Sequence, residues 1–413
     1  MERGRPRFNL SAPARFPLSS PARFNFTPRV LPIVASVCRE RRHPWPLLFV
    51  TVLALLTTGC DTTRYYRQAI AGQYQIVARQ EKISTLLART NTPPELRDQL
   101  ELVLHLREFA ERELHLKTGG HYARYADLGR PFVVWNVYAA PEFSVEPKRW
   151  WYPVVGKLKY RGFFAEADAR ACASQLAQEG YDVHVGGTEA YSTLGYFKDP
   201  VLNTFIHHPP ADLAETLFHE LAHQRLFASG DPDFNEAFAT AVGEEGARRW
   251  LAQHGDAKTR AEFELDLQRQ RQFVALVLQA RVELEKIYGE DETASVATPR
   301  PILEKQAAKE RVIAQLRADY EALKMSWNGY RGYDGWFQLP VNNARLNTIA
   351  TYHTLVPAFQ QLLARHGGDW PAFYAEAKAL AATPKKGRHE KLIARANGVP
   401  PVTGGNSPGT SAP

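Results

Sequence analysis

Residues 209–239 read PPADLAETLFHELAHQRLFASGDPDFNEAFA. Pro209-Pro210 offers a helix start, because proline fits the first helical turn, where its missing N–H is not needed. Leu213, Leu217 and Leu221 recur every four residues and form an apolar stripe on one helix face. Gly230, seven residues after His223, offers a stop. The spacing predicts a helix over 210–228, a short turn through Ser229-Gly230-Asp231-Pro232 and a second helix over 234–254.

Within the first helix stands His219-Glu220-Leu221-Ala222-His223. Residues four apart on a helix share a face, about one turn along. His219 and His223 can therefore chelate one Zn²⁺ through their imidazoles, with Glu220 placed to act as general base on a zinc-activated water. Such a site needs a third protein ligand, and Glu236 is the leading candidate. Its rival role is structural: Asp233 and Glu236 have the spacing of a capping box, with Asp233 as N-cap. Glu244, Glu245 and Asp231 are the alternative ligands.

Bulk composition narrows the function classes. The 413 residues are 44% hydrophobic and 11% aromatic, enough for a substantial core. The net charge of +7 lies wholly before Cys60, where nine Arg stand against two Glu. The rest balances to zero, so no electrostatic footprint for nucleic acid remains. The cysteines are Cys38, Cys60 and Cys172. They supply neither a disulfide framework nor a cysteine-built zinc site.

Residues 1–59 read as a leader. Arg39, Arg41 and Arg42 form a basic start and Leu47 to Leu56 an apolar core, too short to span a bilayer. Residues 1–38 have no periodicity and lie upstream of this signal; the true start is expected later than Met1, at a non-AUG codon at Val30, Leu31 or Val37. Leu56-Thr57-Thr58-Gly59-Cys60 resembles a bacterial lipobox, with Thr57 where an aliphatic residue is usual. That resemblance implies a lipid on Cys60 and a place in the bacterial cell envelope, facing the periplasm. Asp61 resembles an inner-membrane retention signal.

The expected fold is α+β and mostly helical, with a small α/β layer before the motif and a long helical hairpin after it. Helices are predicted over Tyr65 to Leu87 and from Pro93-Pro94 through Leu116. Strands are predicted over 132–138, 151–155, 158–160 and 182–185, the last closed by Gly186-Gly187, with a helix over 165–178 between them. Residues 257–287 and 301–324 form the hairpin, its charges solvated. A loop is expected over 327–340, then helices over 342–365 and 370–382. The metal-binding domain would run from 60 to 395, followed by a disordered tail over 396–413.

His219-Glu220-x-x-His223 followed by Asn235-Glu236-x-x-Ala239 resembles the gluzincin metallopeptidases, whose third ligand is a glutamate on a following helix. More narrowly, the chain resembles a family of predicted bacterial aminopeptidases, often lipoproteins. Tyr191 to Pro200, the helix pair and Asn342-Asn343-Ala344-Arg345-Leu346 carry the likeness, over roughly residues 55–390. The resemblance implies a zinc-dependent aminopeptidase acting on peptides. The Gly-x-Met-Glu-Asn motif of many gluzincin aminopeptidases is absent, since the methionines are Met1 and Met325. The amino-end specificity therefore rests on the family likeness, whereas the zinc chemistry rests on residues.

Hydrolysis also needs a donor for the tetrahedral oxyanion. Tyr352 and His353 are the first choices, then Tyr191 and Tyr196. The stretch from Tyr191 to Asp199 could align substrate backbone as an edge strand. His207-His208 could assist the ligands. Arg345 could bind a substrate carboxylate or form a buried structural ion pair. The competing function classes are a non-catalytic zinc-containing lipoprotein and a peptide-binding scaffold built on the hairpin. Nothing in the sequence sets an oligomeric state.

Overall fold

The computed structural model describes residues 60–152, 156–190, 193, 197–293 and 301–398. The leader and the tail beyond residue 398 lie outside them. Helix α1 (Cys60–Ala78) opens the described chain, followed by strand β1 (Gln80–Lys82), α2 (Ile83–Ala88) and α3 (Pro94–Arg112). The helix expected over Tyr65 to Leu87 is thus interrupted. Gln80–Lys82 instead pairs antiparallel with β2 (Arg124–Ala126), and the Ile83 amide bonds the Ala123 carbonyl at 3.1 Å. The second helix ends before Leu116, at Arg112, and His115 turns into the left-handed region (φ 53°).

The α/β layer is built from β3 (Val134–Pro141), β4 (Trp150–Tyr152), β5 (Gly156–Leu158), β6 (Arg161–Phe163), α4 (Glu166–Gln178), β7 (Tyr181–Thr188) and β8 (Val201–Leu202). Strands β6, β3 and β7 form an antiparallel sheet in that order, so β3 is central and buried on both faces. Alternation divides its side chains. Trp135, Val137 and Ala139 pack with α4, while Val134 and Tyr138 turn to the main helical core. Strand β7 runs through Gly186-Gly187 instead of stopping there. Gly187 is needed for close approach: a β-carbon on it would meet the Phe132 ring at 2.3 Å.

Helices α5 (Pro210–Arg225) and α6 (Pro232–His254) form the centre of the main core. Helices α7 (Ala257–Thr293) and α8 (Ile302–Ser326) pack on each other as the expected hairpin. One of its charges is not solvated: Lys309 is buried and donates to Asp182 (2.7 Å) and the Glu142 carbonyl (2.9 Å). The expected loop after the hairpin contains a short helix, α9 (Asp334–Gln338), and its Trp327, Tyr333 and Trp336 fill the hairpin core. Burial of these aromatics makes the segment part of the packing.

The helix expected over 342–365 divides into α10 (Asn343–His353) and α11 (Val356–Arg365), where Pro357 opens the second. The Asn342 side chain caps α10 by accepting from the Arg345 amide at 3.0 Å. Helices α12 (Trp370–Ala381) and α13 (Arg388–Ala396) close the core; α13 was not expected from the sequence. The chain is mostly helical with small sheets, the α+β class expected.

Candidate metal centre

Helix α5 places His219 and His223 one turn apart, and their Nε2 atoms lie 3.1 Å from each other. Helix α6 brings Glu236 to both: its Oε2 is 3.6 Å from His219 Nε2 and 3.8 Å from His223 Nε2. His223 and Glu236 are buried and His219 half-buried. Four ligands arranged tetrahedrally around zinc at about 2.0–2.1 Å stand about 3.3–3.4 Å apart. The three observed separations bracket that value, so the donor set fits zinc. Among the described residues no other cluster of three such groups occurs.

The turn between the helices explains how Glu236 arrives there. Asn235 accepts from the Ala228 amide (2.7 Å) and donates to the Ala228 carbonyl (2.9 Å), fixing α6 against the chain leaving α5. The capping box is not formed. The N-cap is Asp231 and Pro232 begins the helix, so Asp233 lies inside it and pairs with Lys159 at 2.7 Å. Proline's fixed φ starts the helix ahead of the expected Asp233. Glu236 therefore falls two positions further in, at the fifth helical residue, facing α5.

Small residues on α6 let the helices approach. A β-carbon on Gly243 would come within 2.8 Å of the Glu215 carbonyl oxygen and 3.1 Å of His219 Cβ. One on Gly246 would strike Phe218 (2.7 Å) and Leu114 (2.8 Å). Gly243 lies seven residues, two turns, beyond Glu236 and so shares its face. These glycines escaped the sequence reading; their signal was spacing from Glu236 within an otherwise helical run.

The alternative ligands are engaged elsewhere. Asp231 binds Arg388 (2.8 Å) and His389 (3.0 Å), Glu245 pairs with Arg248 and Arg249, and Glu244 accepts from Gln360 at 2.6 Å. Glu220, beside the first histidine, is 1% exposed.

The sheet supplies a polar face to this region. Asn136, Tyr138, His184 and Thr188 share it, because Tyr138 is registered with His184 and Val134 with Thr188. Asn136 donates to Thr188 Oγ1 at 3.2 Å. Burial holds the Tyr138 phenol above its ordinary value, with Tyr160 and Glu236 acting in the same direction against hydrogen bonds with Asn136 and Tyr352. It thus stays a neutral hydroxyl. Tyr138 was missed because a tyrosine in an apolar strand reads as core. Its position two residues after Asn136, opposite Trp135 and Val137, was the available clue.

Tyr352, on α10, is buried and reaches the site region through its hydrogen bond with Tyr138. His353 lies close enough to His219 to feel its charge. Burial first, then that charge, lower its pKa to about 4. Arg345 stands seven residues before Tyr352 on the same face of α10. Among the described residues it has no ion-pair partner: the guanidinium stacks on Trp336, 5.0 Å from the ring centre, and its buried Nε and Nη1 have no hydrogen-bond acceptor there. Burial, then Arg317, lower its pKa to about 10, leaving it a cation at neutral pH.

Other expected residues fall elsewhere. His207 is exposed and His208 pairs with Glu189 at 2.9 Å. Tyr191 and Tyr196 lie outside the described residues. Of that segment only Thr193 and residues 197–199 are described, none of them in a strand; there Asp199 accepts from the Thr193 hydroxyl at 2.6 Å and the Phe197 amide donates to Thr193 Oγ1 at 3.1 Å. Cys60 begins α1, and Cys172 is half-buried on α4.

A carboxylate and two imidazoles meeting between two helices, with a second carboxylate beside them, is an arrangement suited to metal-assisted hydrolysis. A family model described as "Putative aminopeptidase" matches residues 64–392. The chain belongs to that family, and membership supports a peptidase activity. No curated protein and no solved structure matches the chain.

Proposed function

We propose that the protein is a zinc-dependent peptidase of the gluzincin kind, with His219, His223 and Glu236 holding one Zn²⁺. The observation that carries this reading is the convergence of three donor atoms from two helices within 4.8 Å of one another. A zinc ion held there would supply polarisation of the scissile carbonyl and a water nucleophile at neutral pH. Three protein ligands leave room for that chemistry, whereas a structural site is usually closed by four.

Glu220 takes the water's proton on its carboxylate and returns it to the departing amine. Its burial, at 1% exposure, shields that proton from bulk solvent. The Tyr138 and Tyr352 hydroxyls, joined by a hydrogen bond, with Tyr138 close enough to Glu236 to feel its charge, are the donors that meet an oxyanion. The polar face of the sheet carries the peptide, and Arg345 receives a carboxylate of it. Family membership supports aminopeptidase action.

In this reading lipid on Cys60 holds the enzyme in the cell envelope, facing the periplasm; the leader's basic start and apolar core support it, and Asp61 favours the inner membrane. The metallopeptidase domain spans residues 60–395.

Zinc content and peptide hydrolysis, measured on the purified protein and on Glu220→Gln, test the reading. About one zinc per chain is expected in both, with hydrolysis only in the unmutated protein. Absence of zinc from the unmutated protein sinks it. Zinc in both with hydrolysis in neither favours the non-catalytic lipoprotein.

A further inference from the structure

Helix α1 has two unlike faces. Its inner face is fastened to the body: Tyr65 packs on Phe163 and Tyr152, Arg161 lies over the Tyr65 ring at 4.2 Å, and Gln68 accepts from the Phe164 amide at 2.9 Å. Gly72 admits the Phe164 ring, which a β-carbon there would strike at 2.0 Å. The outer face carries Tyr66 (39% exposed), Ile70 (69%), Tyr74 (71%) and Val77 (43%). At about 100° per residue these four fall within an arc of about 80°. Elsewhere among the described residues large exposed apolar side chains are scattered or form the pair Ile302-Leu303.

A continuous exposed stripe of this kind marks a surface that something covers. Where the chain comes from identifies the occupant. Helix α1 begins at Cys60, directly after the apolar run Leu47 to Leu56 and the lipobox-like Leu56 to Cys60. Tyr66 follows six residues later, about 9 Å along the axis, and Val77 about 16 Å beyond it. Tyrosine favours the boundary between headgroups and acyl chains, where its ring is buried and its hydroxyl stays wet. Arg67, exposed, stands at the rim of the stripe; Arg64 lies further round and pairs with Asp168 at 2.7 Å. No described helix is long and apolar enough to cross a membrane, so α1 can lie along one but not through it.

We propose that the outer face of α1 rests on a bilayer containing anionic phospholipid. Tyr66, Ile70, Tyr74 and Val77 enter the headgroup boundary and Arg67 faces the phosphates. The body is then held at a fixed attitude to the membrane instead of swinging from a tether. The proposal rests on the reading of Cys60 as the anchored terminus. It adds a contact that an acyl chain alone does not supply.

The test uses the full chain, expressed with its leader and reconstituted into vesicles of phosphatidylethanolamine and phosphatidylglycerol. These contain a small fraction of a phospholipid with a diazirine in its acyl chain. After irradiation and trypsin digestion, mass spectrometry of the peptide 68–79 should show lipid adducts at Ile70, Tyr74 or Val77. In a double variant, Ile70→Ser with Tyr74→Ser, adduct yield on that peptide should fall at least about fivefold. Both positions are exposed, so the fold tolerates the change. Adducts absent from 68–79, or cross-links from it to a second copy or another protein, overturn the proposal. The mass of the peptide starting at Cys60 reports the anchor separately. Adducts on 68–79 without lipid on Cys60 uphold the interfacial helix and reject the anchor; lipid on Cys60 without adducts does the reverse.

Discussion

Gly243 lies against His219, with room for a hydrogen and none for a methyl group: a β-carbon there would sit 3.1 Å from His219 Cβ and 2.8 Å from the Glu215 carbonyl oxygen. Alanine in place of a helical glycine ordinarily stabilises by up to about 1 kcal/mol. Here the obstacle is backbone, which cannot swing aside, and overpacking costs about 1–3 kcal/mol. The clash wins. Gly243→Ala should lower unfolding free energy by about 1–2 kcal/mol and, by parting α5 from α6, weaken zinc binding about tenfold or more. Urea unfolding of the metal-free protein and a competitive zinc titration check this. Unchanged values in both would show that the helices reach the metal site by another constraint.

Asn235 sets the turn that delivers Glu236. Its amide group satisfies both the N–H and the C=O of Ala228, and it is 2% exposed. Asn235→Ala strands two buried backbone groups, at about 1–3 kcal/mol each when nothing replaces the partner. A loss of about 2–4 kcal/mol is expected in chemical denaturation. Excess zinc should restore part of it, since a ligand that binds only the folded state stabilises by mass action. A loss that zinc leaves untouched would separate the turn from the metal site.

His184 makes stability depend on pH. Burial, then the nearby charge of Arg345, lower its pKa from 6.5 to about 3. Between these values the unfolded chain binds a proton that the folded chain refuses. Stability is therefore complete above about pH 6.5 and falls on acidification, by at most about 1.4 kcal/mol per pH unit, until pH nears 3. His184→Gln removes the proton site. Its unfolding free energy, followed from pH 7 to 4.5, should fall less steeply than that of the unmutated protein. Parallel curves would mean that the folded protein accepts the proton without cost.

Legibility in the sequence followed how local each determinant was. His219 and His223 were readable because helical period alone brings them together. Glu236 was readable as a candidate because a turn of fixed length precedes it, but its rival capping role was not dismissible until Pro232 was seen to begin the helix ahead of Asp233. Gly243 and Gly246 look like weak points in a helix until the opposing residues, Glu215, His219 and Phe218, are known. Strand β7 outran its apparent stop for the same reason: Gly187 is there to admit the Phe132 ring. Tyr138 depended on sheet register, and the break near Leu355 on packing at Pro357, neither of which periodicity reports.

Arg345 offers the sharpest separation of function from stability. The residue is 2% exposed and its guanidinium stays charged at neutral pH, its pKa lowered only to about 10. It has no carboxylate partner among the described residues, and its Nε and Nη1 are unsatisfied. A buried cation in that state costs stability, so replacing it with a side chain of similar reach that can also lie on Trp336 relieves the cost. Arg345→Met should leave unfolding free energy unchanged or raise it by about 1–3 kcal/mol. If the guanidinium receives a substrate carboxylate, the same change removes charge-assisted hydrogen bonds of about 1.5–3 kcal/mol. The preference for short peptides with a free C-terminal carboxylate over their amides, measured as a ratio of kcat/KM, should then fall about 10–100-fold. A side chain placed for packing predicts the opposite pair of results: lower stability and an unaltered ratio. That pair would return Arg345 to the scaffold and leave the substrate's charged end to be recognised elsewhere.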